Sequence, residues 1–121
     1  KAQREIHVAT SGNDANPGTA TQPMRTLAAA LKKANQAGTY VILHSGVYFE
    51  GDLPAVGKGT AEAPIVIRGA KGETAILDGS DRACLSTTWK NLGEGYFSTP
   101  FTGSTKVVCV ENRKTGEVRR L

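Results

Sequence analysis

The sequence predicts a mainly β chain with one amphipathic helix, and three observations carry that prediction. Short apolar runs are separated by tight glycine-rich turns, Tyr40-Val41-Ile42-Leu43 is apolar without alternation, and only one stretch repeats with a helical period. Hydrophobic residues at 39% and charged residues at 21% exclude a disordered chain, while fourteen glycines and five prolines favour turns over long helices. The 121 residues suit a single domain, 1–121, large enough for a core of its own.

The elements follow in order. REIHVATSG alternates, with Ile6 and Val8 on one face and His7 on the other, and runs into the turn-rich SGNDANPGT, so a short strand leads into a structured loop. In RTLAAALKKANQAG, residues Leu27, Ala30, Leu31 and Ala34 form an apolar stripe with Lys32, Lys33 and Gln36 off it. Thr26 is the expected N-cap and Gly38 the expected left-handed residue past the end, which gives a helix over about 26–37. Because it is amphipathic, this helix must lie on an apolar surface.

Tyr40–Leu43 is too short for a helix before Ser45-Gly46 breaks it, and its continuous apolarity is that of a strand buried on both faces, which favours parallel pairing. Further strands are expected at Ile65–Ile67, Ala75–Leu77 and Lys106–Val110. No second helix lies between them to serve as a crossover in an ordinary α/β fold. Short strands that stack in parallel without helical crossovers are what a parallel β-helix requires, with Gly69, Gly72 and Gly79 at the corners and Ile65, Ile67, Ile76 and Leu77 as candidate interior aliphatics. No strict repeat is visible, so a small sandwich or a mixed α+β domain fits the same pattern.

A resemblance separates these folds. IHVATSGNDANPGTATQPMRTLAAALKKANQAGTYVILHSGVYFEG followed by GTAEAPIVIRGAKGETAILDGSD resembles the N-terminal part of right-handed parallel β-helix proteins of the pectate-lyase-like superfamily. The matching features are a first strand, a D-x-N-P-G-T loop at Asp14–Thr19, a helix that caps the open end of the coil, a strand with a following G-x-Y turn at Gly46-Val47-Tyr48, and the Ala63–Asp81 segment. WKNLGEGYFSTPFTGSTKVVCVEN is similar to an insert of bacterial polysaccharide-degrading members. The resemblance implies the N-terminal part of a right-handed parallel β-helix with one amphipathic capping helix.

It also implies function. Members of the superfamily are lyases with a Lys or Arg base and often Ca²⁺, or hydrolases with a carboxylate pair. Their catalytic groups sit on middle coils, so no catalytic role transfers to a residue here, and Ca²⁺ belongs to the expected longer parent. The chain is then expected to be the capping segment of an extracellular or periplasmic polysaccharide lyase or glycoside hydrolase, inactive alone. The alternative is a non-enzymatic β-helix scaffold such as an adhesin, surface or carbohydrate-binding protein. The expected partners are a polysaccharide, an acidic one among the candidates, and the remaining coils of the same protein or a second copy. KAQREIHVAT carries neither an initiator Met nor an apolar signal core, which is expected of a mature or excised piece.

Other constellations point to little chemistry. The net charge of +4 comes with Glu111 and Glu117 interleaved among Arg113, Lys114, Arg119 and Arg120, and no nucleic-acid-binding motif accompanies it. No run approaches the roughly 20 apolar residues of a membrane span. Asn13, Asp14 and Asn16 are turn formers before they are metal ligands, and no metal is expected. GDLPAVGKGT fails as a phosphate loop, because five residues separate Gly51 from Gly57 and Gly59 stands where Ser or Thr should follow Lys58. Asp78 and Asp81 flank a Gly-Ser corner, and His7 and His44 have no assignable third partner. Cys84 and Cys109 are the only cysteines, and they are either two thiols or a pair stacked about one coil apart. Trp89 and Tyr96, in a stretch with Phe97 and Phe101, are the candidate sugar-stacking residues.

Overall fold

The structure is a computed structural model that describes residues 1–82, 87–102, 109–112 and 114–120. The chain falls into two compact units, Lys1–Arg82 and Ala83–Leu121, where the sequence suggested one domain. The first unit holds β1 (Arg4–Val8), α1 (Leu27–Lys33), β2 (Thr39–Leu43), β3 (Gly46–Phe49), β4 (Val66–Gly69) and β5 (Ala75–Asp78). The second holds β6 (Lys90–Gly93), β7 (Tyr96–Ser98), β8 (Cys109–Glu111) and β9 (Val118–Arg120).

The first unit is a stack of parallel strands. One sheet runs β1-β2-β4 and the other β3-β5, each strand pairing with the one a coil later. Alternation along these strands sorts the side chains. Ile6, Val41 and Ile67 stand in one cross-strand row, as do Val8, Leu43 and Gly69, and these rows face inward. Ile6, Val8 and Val41 are fully buried, and the neighbouring buried Thr39 donates its hydroxyl to the carbonyl of Gln36 at 2.7 Å.

The predicted stripe of α1 is the buried one. Leu27, Ala30, Leu31 and Ala34 all pack into the core with Met24 and Tyr48. Burying each leucine contributes about 1.5–3 kcal/mol. Thr26 is the N-cap, accepting the N–H of Ala29 at 3.2 Å. The helix is shorter than the expected 26–37. It stops at Ala34, whose carbonyl accepts from Gly57, and the close approach of Gly57 to the backbone of Asn35 leaves no room for another turn there. Gly38 is left-handed as expected, at φ +75°, but it turns the chain into β2 and its carbonyl accepts the N–H of Gln3.

The outer edge of β1 is covered by chain, not by the helix alone. His7 donates its N–H to Gly18, Met24 donates to His7, and Ala9 donates to Met24, so the loop over 18–24 pairs with the edge groups of β1.

Three further expectations change. Gly46-Val47-Tyr48 is strand β3 and not a turn, with Tyr48 buried in the core because its ring fills the coil interior. Ile67 and Leu77 are half exposed, at 45% and 51%, because β4 and β5 are the outer strands of their sheets, while Ile76, at 51%, stands opposite Val47 on the outward face. Ile65, just ahead of β4, does pack against the core. In the second unit β6-β7 and β8-β9 are antiparallel pairs, the latter taking in the end of the expected strand Lys106–Val110. Its first three residues lie outside the described set, and Cys109 and Val110 pair with Arg120 and Arg119.

Candidate functional site

Parallel stacking gathers titratable side chains from three successive passes of the chain. His7 is an outward residue of β1, His44 follows β2 at the corner, and Glu73 ends the turn before β5. His7 Nδ1 and His44 Nε2 are 3.0 Å apart, and His44 Nδ1 lies 3.0 and 3.3 Å from the two oxygens of Glu73. The rings are 20° from parallel with centroids at 5.3 Å. Their nitrogens are closer than their centres by about two ring radii, so the rings meet edge to edge through nitrogen rather than face to face.

Both ends of this chain of contacts are anchored. Glu73 Oε2 also accepts the backbone N–H of Ser45 at 2.7 Å, and Glu5 Oε2 lies 3.4 Å from His7 Nε2. The Ser45 bond, with the His44 contact, holds the Glu73 carboxyl below its ordinary value of 4.5. Each of the four imidazole nitrogens thus lies within 3.4 Å of a neighbouring ring nitrogen or carboxylate oxygen. Glu73 was missed from sequence. The signal was the pairing of Gly46 with Ala75, which places His44-Ser45 beside Glu73-Thr74.

The loop oxygens serve the fold. Asp14 Oδ1 accepts the N–H groups of Arg25 and Thr26 at 2.9 and 2.8 Å, and its Oδ2 accepts the Thr26 hydroxyl at 2.9 Å. Burial works to raise this carboxyl, but the bonds from Thr26 and Arg25 together outweigh it and hold it below its ordinary value of 3.8. Asn13 Oδ1 accepts from Ala15, and Asn16 donates to the Pro23 carbonyl. These three residues form a helix-docking turn.

Asp78 turns back on Ser80, whose hydroxyl and backbone N–H hold the carboxyl below its ordinary value of 3.8. Asp81 instead lines an open cleft of about 480 Å³ with Phe49, Asp52, Ser80 and Arg82. The Arg82 guanidinium sits 4.6 Å from the centre of the Phe49 ring and covers one of its faces.

The candidate sugar contacts lie in the second unit. Trp89 stands just before β6 and Tyr96 opens β7, and they are 48% and 68% exposed. Gly93, Glu94 and Gly95 all have left-handed backbone, which makes the turn of this hairpin. Tyr96 and Phe97, adjacent in β7, point to opposite faces, so the hairpin presents aromatic surface on both. Cys84 lies outside the described residues, and with it the question of its pairing with Cys109.

Comparison with known proteins bears on the fold. An uncharacterized protein of Bacillus subtilis, YwoF, is 38% identical over 78 residues, and pectate lyase PEL9 of Emericella nidulans is 33% identical over 78 residues. Each alignment covers 64% of this chain, which spans 16% and 19% of those proteins. The structure of XylC with xylose matches 74% of the chain at 33% identity and a TM-score of 0.64, and pectate lyase Pel9A matches 67% at 29% and 0.55. The chain is a stretch of pectate-lyase-like β-helix. It covers 13% and 22% of those two solved chains. No family model matches it. Within this pectate-lyase-like stretch the His7–His44–Glu73 cluster sits on the outward surface. Among the described residues no helix is long and apolar enough to cross a membrane.

Proposed function

We propose that this chain is the N-terminal capping segment of an extracellular polysaccharide lyase or glycoside hydrolase and has no catalytic set of its own. The observation that carries this is the covered edge of β1, where Gly18 and Met24 take up the outer hydrogen-bonding groups of His7 while α1 lies on β1 and β2. A stack of parallel strands needs such a cover at one end, since open edges recruit other chains. The relatives named as pectate lyases, and the solved structure that holds xylose, support a polysaccharide as the partner. The exposed Trp89 and Tyr96 are the side chains in this chain suited to stacking on a sugar ring. Ca²⁺, where the whole protein uses it, is held by residues of other coils.

The test is an assay of the 121-residue chain on polygalacturonate and on xylan, with binding followed by affinity electrophoresis. The expected result is no release of reducing or unsaturated ends, with retardation by one polysaccharide that weakens several-fold in Trp89→Ala and Tyr96→Ala. Turnover by the isolated chain would overturn the reading.

A further inference from the structure

The register of the β6-β7 hairpin divides its aromatic side chains between two faces. Asn91 stands directly opposite Phe97, and Lys90 opposite Ser98, so each pair shares a face. Trp89, two residues before Asn91, falls on the face of Phe97, whereas Tyr96 falls with Ser98 and Lys90 on the other. The pairing continues beyond both strands, because Thr99 donates its hydroxyl to that of Thr87 at 2.7 Å. Extending the register sets Thr99 opposite Trp89, so Thr87 and Thr99 are diagonal neighbours on the Trp89 face, and this diagonal is one along which side chains meet. Trp89 and Phe97 occupy the same diagonal two residues nearer the turn, a separation of about 7–8 Å that aromatic side chains span.

Given the polysaccharide contact proposed for this hairpin, we infer that Trp89 pairs with Phe97, and not with Tyr96, as a two-ring platform for an uncharged sugar chain. Both rings are half exposed. Thr87, Thr99 and Asn91 share their face, which sets hydroxyls and an amide beside apolar rings, as a sugar needs when its C–H groups lie on a ring and its hydroxyls on the rim. Asn91 turns its amide oxygen to the N–H of Gly93 at 2.8 Å, so the NH2 is the group it offers to a ligand.

Charge selects the class of sugar. Between Thr87 and Phe101 the charged residues are Lys90, on the face of Tyr96, and Glu94, in the turn. A uronate chain laid on Trp89 and Phe97 gives up carboxylate hydration with no cation of the hairpin on that face to replace it, and a neutral chain gives up none. Tyr96, with Lys90 beside it on the other face, is a separate contact that a long polymer also reaches.

The chain has one tryptophan, so its fluorescence reads the Trp89 face. The experiment titrates the 121-residue chain with xylotetraose and with tetragalacturonate. Xylotetraose should change the emission and bind at least about tenfold more tightly than the acidic sugar. Phe97→Ala should weaken that binding about five- to tenfold, Phe97→Tyr should restore it, and Tyr96→Ala should leave it within about twofold. Amide resonances of Gly93 and Ser98 report whether each variant keeps the hairpin, and Phe97→Leu replaces Phe97→Ala if that variant loses it. Equal binding of the two sugars, or a loss in Tyr96→Ala as large as in Phe97→Ala, overturns the inference and leaves the polysaccharide contact standing. An emission unchanged by either sugar, while xylan still retards the chain through Tyr96, does the same. Absence of retardation by xylan and by polygalacturonate overturns the contact itself and the inference with it.

Discussion

Glu50 Oε2 accepts the backbone N–H of Leu27 at 2.7 Å, and Oε1 of the same carboxylate accepts that of Ala28 at 2.8 Å. The first turn of α1 contains no acidic residue of its own, so its exposed N–H groups and positive dipole end are met from the far end of β3. Glu50→Ala should therefore cost about 1–2 kcal/mol, and Glu50→Gln less, since an amide oxygen can still accept one bond. Urea unfolding followed by circular dichroism reads both.

Asp14 makes stability depend on acid. Its carboxyl is held below the ordinary 3.8, so the folded state binds fewer protons than the unfolded one near that value. The contribution is fully present above 3.8 and is lost as pH falls through the lower folded-state value. Asp14→Asn should be less stable than the parent at neutral pH, and the two should converge in strong acid. Denaturant midpoints measured across the acid range check this.

Tyr48 does the opposite at alkaline pH. Burial, and then the charges of Glu73 and Glu50, push its phenol above the ordinary 10.0. Its share of stability is present below 10.0 and is lost as pH rises through the higher folded-state value. Tyr48→Phe should cost about 1 kcal/mol at neutral pH by removing the hydroxyl proton shared between the His44 and Val8 carbonyls, and should remove this alkaline limb. The pH dependence of the unfolding midpoint in parent and variant decides it.

Gly46 is fixed by its neighbour. Its φ is +149°, and a Cβ there would come within 2.7 Å of Thr10 Cγ2. Gly46→Ala should cost about 1–3 kcal/mol, of which Thr10→Ala in the double variant recovers only the steric part. Thermal unfolding of the single and double variants separates strain from collision.

The elements set by local pattern were legible in the sequence, and those set by pairing were not. Leu27, Ala30, Leu31 and Ala34 repeat every helical turn, and Tyr40–Leu43 is uniformly apolar, so both appear without knowledge of the rest. The end of α1 did not, because Gly57, distant in sequence, stops it from outside. Gly46-Val47-Tyr48 looks like a turn until β5 lies beside it. The cluster was half visible: His7 and His44 stand out as the chain's two histidines, while Glu73 reaches them only through the register of β3 on β5. Ile67, Ile76 and Leu77 have the chemistry of interior residues, but Ile67 and Leu77 lie on outer strands and Ile76 falls on the outward face with Val47.

The parallel coil is the central claim, and one row of residues tests it. In solution, backbone nuclear Overhauser contacts should connect Ile6 with Val41 and Val41 with Ile67, in the parallel register, with slow amide exchange through β1 and β2. Contacts in an antiparallel register, or pairing of β2 with β3 as a hairpin, would contradict the account.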